Sequence, residues 1–178
     1  MPDIPSVRRP LDLDRLRRLG ATSAPLCAVR SALSASIAYS LALLLGLQQP
    51  LWAPVSALIT ARDSWGDTFA ECRSRILGTV VGTLLAILGS IVLRPFALSP
   101  VVNLALVTGA TAAIVSFRPE WRVGLWTASI TLLSQAPDTG IWGTGLARFC
   151  EVALGAIVAT LVSAAEFQLV RRWIAGRR

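Results

Sequence analysis

The chain has 178 residues, 54% of them hydrophobic and only 15% charged, whereas soluble domains run nearer about 45–50% apolar and about 25% charged. All seventeen basic residues are arginine and the net charge is +7, but the arginines lie between apolar runs and not on one polar surface, which argues against a nucleic-acid partner. The absence of His and Lys excludes imidazole acid–base chemistry, a His metal site and a lysine Schiff base. Cys27, Cys72 and Cys150 have no ligand or redox spacing and read as small apolar filler. No metal, no cofactor and no enzyme activity is expected.

The first 25 residues form a basic segment expected in the cytoplasm. Leu11, Leu13, Leu16 and Leu19 alternate there with Asp12, Asp14 and several arginines, a pattern that suits a short helix on the membrane face. A membrane domain over residues 26–170 follows, then a basic cytoplasmic tail over 171–178. Uncharged runs between Arg30 and Arg62, Arg75 and Arg94, Arg94 and Arg118, and Arg122 and Asp138 reach or approach the roughly 20 apolar residues that a span requires.

Span one is expected at 26–47, ending at Gln48-Gln49-Pro50, because a residue before proline avoids helical geometry. Span two, 51–62, is short and contains Pro54. Span three runs from 69 to 93 and stops at Arg94-Pro95. Span four covers 98–117 and stops at Arg118-Pro119-Glu120. Span five, 122–136, is again short and ends at the turn-forming Pro137-Asp138-Thr139-Gly140. Span six runs from 143 to 169. With both termini inside, fifteen of the seventeen arginines fall on the cytoplasmic side, as the positive-inside bias requires.

A weak internal repeat accompanies this topology. Leu51-Trp52-Ala53 recurs 74 residues on as Leu125-Trp126-Thr127, Gly66 matches Gly140, and Arg75 and Gly82 recur 73 residues on as Arg148 and Gly155. The offset covers three spans, so the copies cross the membrane in opposite senses. The expected fold is an all-α membrane protein of six transmembrane helices, built as two inverted three-helix repeats. In such architectures short or proline-broken spans at matching positions mark the binding site, which singles out 51–62 and 122–136.

Within the spans, ionisable groups are costly and normally face a cavity or a partner. Arg148 and Glu151 lie three apart and Glu71 and Arg75 four apart, both spacings at which side chains can pair. Arg75 and Arg148 are candidate anion-binding groups related by the repeat, with Glu151 as a proton carrier or gate and Trp52 and Trp126 as contacts for an apolar body. Trp142 reads as an interfacial anchor. Gly78, Gly82 and Ala86, and Gly155, Ala159 and Ser163, form small-residue stripes that let helices approach closely in lipid, within the chain or across a dimer.

Trp52-Ala53-Pro54, Gly66-Asp67-Thr68 and Arg75-Ile76-Leu77-Gly78-Thr79-Val80-Val81-Gly82 resemble the membrane domain of the fusaric acid resistance and aromatic acid exporter families. In those families an aromatic-x-Pro opening to the second span precedes an Arg-x-x-Gly-Thr-x-x-Gly opening to the third. Plant aluminium-activated malate channels are similar, more faintly, over the same stretch. The resemblance covers roughly residues 28–165. It implies a six-helix domain that moves small organic or aromatic carboxylates outward across the bacterial inner membrane. The larger exporters carry two such blocks and a cytosolic domain; one block here implies a homodimer. A passive anion channel and a non-transporting membrane partner subunit are the alternatives.

Overall fold

The computed structural model describes residues 13–135 and 140–175. The expected turn at 137–139, the last three residues of the proposed tail and the first twelve residues lie outside that set. Among the described residues the protein is all-helical. Six α-helices run α1 Leu13–Leu44, α2 Trp52–Thr60, α3 Trp65–Leu93, α4 Pro100–Ser116, α5 Val123–Leu133 and α6 Gly140–Ala175. Short 3-10 turns at Arg94–Phe96 and Pro119–Trp121 precede α4 and α5.

The ends follow local chemistry. α1 runs through Pro25 and stops where Gly46 takes a positive φ of 64°. The Gly46 amide donates to the Leu43 carbonyl and the Leu47 amide to the Ala42 carbonyl, both at 3.0 Å, the paired bonds of a Schellman end. Ser64 caps α3 by accepting from the Asp67 amide at 3.1 Å. Ser99 caps α4, with Pro100 in the first helical position, where its missing donor costs nothing.

Among the described residues, three helices are long and apolar enough to cross a membrane: Ala24–Leu44 of α1, the Trp65–Phe96 segment and Gly140–Leu169 of α6. α4 is apolar but has 17 residues. The two segments expected to be short are shorter still. α2 has 9 residues and α5 has 11, about 14 and 16 Å at the helical rise, roughly half of a bilayer core.

α3 and α6 pack against each other at the centre. α2 lies on α6 and α5 lies on α3. α1 covers α2 and α6, and α4 covers α5 and α3. Exchanging α1, α2 and α3 for α4, α5 and α6 therefore reproduces the same set of partnerships. The contacts are made by small side chains: Ala38, Ala42, Ala53, Ala57, Val158 and Ala159 form one core, and Ala86, Val107 and Ala128 another.

The glycine stripes face helices of the same chain. A β-carbon at Gly82 would come 2.8 Å from the Gly124 Cα of α5, and one at Gly78 would meet Val123 and lie 3.0 Å from the Trp121 carbonyl oxygen. On α6, a β-carbon at Gly155 would overlap the Ala53 carbonyl of α2 and stand 2.8 Å from Ser56 Cβ. Each short helix is thus seated backbone-to-backbone on a long one.

The turns that precede the short helices are recessed. Gln49 bonds Glu151 and Arg148, and Arg148 is eight residues inside an α6 that starts at Gly140, about 12 Å from its end. The Glu120 carbonyl accepts from the Ser74 hydroxyl, nine residues inside an α3 that starts at Trp65.

Candidate functional site

α2, α3, α5 and α6 surround a narrow cavity of about 60 Å³ whose walls include Trp52, Ser56, Arg75, Trp126, Thr127 and Arg148. Both expected arginines and both expected tryptophans therefore reach one space. It is too small for an aromatic acid in this conformation. Arg75 and Trp126 also line a wide, open cavity of about 940 Å³, together with Arg62, Glu71, Glu120 and Arg122. The two cavities thus adjoin at Arg75 and Trp126.

Arg148 is 3% exposed and tightly held. Its guanidinium carbon stands 4.2 Å from the centroid of the Trp52 ring, within cation–π range. Its Nη2 donates to Gln49 Oε1 at 2.9 Å, and its Nη1 lies 3.5 Å from Glu151 Oε2. Trp52 Nε1 donates to the same Gln49 oxygen at 3.0 Å. Glu151, 1% exposed, accepts from the Gln49 backbone amide at 2.7 Å. A charge this deep needs partners. Even so, Arg148 Nε and Nη1 and Glu151 Oε2 have no hydrogen-bond partner among the described residues.

Arg75 is 6% exposed, and its Nε lies 3.7 Å from Glu71 Oε1. Glu71 is itself shared, since Arg62 Nη2 donates to its other oxygen at 3.0 Å. Arg75 Nε has no hydrogen-bond partner among the described residues. Trp126 differs from Trp52: it is 62% exposed, whereas Trp52 is half-buried beneath Arg148. Trp142 stands apart from this site, beside a third cavity near Arg94.

Two participants escaped the sequence reading. Gln49 was only part of a turn there, but its side-chain oxygen and backbone amide join Trp52, Arg148 and Glu151; a polar pair directly before a proline-broken span is the signal that was available. Arg30 was counted with the basic tail. It lies within α1, is 8% exposed, and binds Asp63 at 3.2 Å and Glu166 at 3.3 Å. It clasps the α2–α3 connection to α6.

These elements define an all-helical membrane protein with a buried, arginine-bearing centre. Residues 37–162 match the fusaric acid resistance protein-like family, and the chain belongs to that family. No curated protein and no solved structure matches it.

Proposed function

We propose that this protein exports small organic or aromatic carboxylate anions across the bacterial inner membrane. The observation that carries the proposal is the meeting of Arg75, Arg148, Trp52 and Trp126 around one cavity, with Arg75 and Trp126 also lining the wide cavity beside it. Guanidinium groups pair with carboxylates through charge-assisted hydrogen bonds, and indole faces suit an aromatic ring. Family membership supports a transport or efflux role.

In this reading the six helices form two inverted repeats with both termini in the cytoplasm, and α2 and α5 are incomplete crossings. The exchangeable packing of the two halves supports the repeat. The arginine bias of the sequence supports the orientation. The wide mouth, which carries Asp63, Asp67, Glu71 and Glu120 as well as Arg62, Arg75 and Arg122, then faces the cytoplasm, and Arg75 is the group that meets the anion at its inner end. Arg148, with Glu151 as its internal counter-ion, is the second station, and a homodimer is the working unit.

The test is flux of radiolabelled benzoate and succinate in proteoliposomes, with and without a pH gradient. Carboxylate movement that follows the gradient is expected. Movement indifferent to the gradient, with unitary conductance steps, selects a channel. No movement of either compound by wild-type protein defeats the reading.

A further inference from the structure

Buried hydroxyls in this protein divide into two groups. Thr60, Thr111 and Thr144 each donate to the carbonyl one turn back, at 2.7–2.9 Å, the usual solution for a threonine in an apolar helix. Thr79, Thr83 and Thr131 are as deeply placed, at 0%, 8% and 0% exposure. Their hydroxyls have no hydrogen-bond partner among the described residues. Two further hydroxyls of this kind, Ser34 and Ser163, belong to α1 and α6 and lie off this site.

The three threonines are spatially organised. Arg75, Thr79 and Thr83 recur every fourth residue and share one face of α3. Thr131 follows the cavity-lining Thr127 by one turn of α5. Gly145, one turn before Arg148 on α6, sits between them. A β-carbon there would stand 2.7 Å from Thr83 Cγ2, 3.4 Å from Ile87 Cδ1 and 3.7 Å from Thr131 Cγ2. Beyond Ile87 on α3, Ser90, Arg94, Asn103 and Gln135 line a cavity of about 700 Å³, and Asn103 Oδ1 is likewise buried without a partner. A line of unsatisfied polar atoms thus runs from the arginine cavity to a second cavity at the opposite end of α3.

We propose that Thr79, Thr83 and Thr131 line the outer half of the permeation route, closed here where Ile87 and Gly145 meet. A polar atom left unpaired in a membrane interior is costly, so a row of them on two helices, α3 and α5, fits a path that fills with water or with carboxylate oxygens on opening. The absence of back-bonding leaves each hydroxyl able to bond whatever passes. This inference rests on the transport reading above, and its test separates the two.

In a background with Cys27, Cys72 and Cys150 replaced by alanine, Thr83→Cys and Thr131→Cys are exposed in proteoliposomes to an anionic, membrane-impermeant methanethiosulfonate. Both positions are expected to react, more slowly with benzoate present. Asp63→Cys is the water-exposed control, because Asp63 is 98% exposed. If both threonine positions stay unmodified while the control reacts to completion, the row is packed core and the proposal is overturned. In parallel, Thr83→Val keeps the shape and removes the hydroxyl. It is expected to lower benzoate flux about tenfold, the effect of one hydrogen bond, with the melting temperature unchanged and Thr83→Ser restoring flux. Full flux in both Thr83→Val and Thr131→Val also overturns the proposal. Wild-type protein that moves no carboxylate defeats the transport reading, and the labelling still decides the row by itself.

Discussion

Arg148 and Arg75 occupy matching places near the starts of α6 and α3, yet their surroundings differ. Arg148 is held by ring, amide oxygen and carboxylate, all buried. Arg75 has one long contact to a carboxylate already engaged elsewhere, and it borders a wide cavity. The same residue type is a locked element in one half and an available charge in the other. An alternating mechanism needs such inequality: at any moment one station is offered to the substrate and the other is held shut. The contrast also separates roles, since Arg148 should matter for folding and Arg75 mainly for traffic.

Removing Arg148 should break the contrast most severely. Arg148→Ala leaves the buried Glu151 without its counter-ion, and a stability loss of about 3–5 kcal/mol is expected. The double variant Arg148→Ala/Glu151→Ala should recover most of it, measured by thermal denaturation in detergent. A single variant as stable as wild type would show that Glu151 takes no part in holding the arginine.

Next in size is Gly155→Val, which forces a side chain into the Ala53 backbone. It should cost about 3 kcal/mol and reduce the yield of folded protein on size-exclusion chromatography. Gln49→Leu strands the Arg148 Nη2 and Trp52 Nε1 donors and should cost about 2 kcal/mol. Its quenched or shifted Trp52 fluorescence offers a second readout.

Arg75→Ala sharpens the comparison. It should cost less stability than Arg148→Ala, because Glu71 keeps Arg62 as a partner, while lowering carboxylate flux about tenfold, the pattern of lost substrate stabilisation. Equal destabilisation by the two arginine-to-alanine changes would erase the distinction drawn between them. The smallest effect belongs to Arg62→Ala. Arg62 is half-exposed where it meets Glu71, and about 0.5 kcal/mol or less is expected on unfolding.

Much of the helix layout was legible in the sequence because its signals are local. Pro50, Pro95 and Pro119 punctuate the runs, and apart from the start of α1 at Leu13 and the end of α6 at Ala175 the helix limits fall within a few residues of those expected. The brevity of 51–62 and 122–136 was visible in the same way, and so were the spacings that allow Arg148–Glu151 and Glu71–Arg75 pairs. What was hidden depends on packing between distant segments. Gln49 acquires its partners 99 and 102 residues away, and no periodicity encodes that. Arg30 carries the same letter as the tail arginines, and only the arrival of Asp63 and Glu166 beside it makes it a clasp. The threonine row was invisible for a similar reason, since a threonine that back-bonds and one that does not are identical in sequence. The unequal exposure of Trp52 and Trp126 was hidden as well, since it takes Arg148, 96 residues away, to stand over the Trp52 ring.

The seating of α2 on α6 and of α5 on α3 has a consequence for biosynthesis. Each half of the chain holds its short helix against the long helix of the other half, so neither half contains its own finished core. When α1, α2 and α3 have left the ribosome, the glycine seat for α2 has not been translated, and α5 has not arrived to cover Gly78 and Gly82 on α3. The first half must wait in the bilayer, unfinished, until the last helix is delivered. A chain cut between α3 and α4 should therefore be rescued by supplying both pieces together, and by neither piece alone.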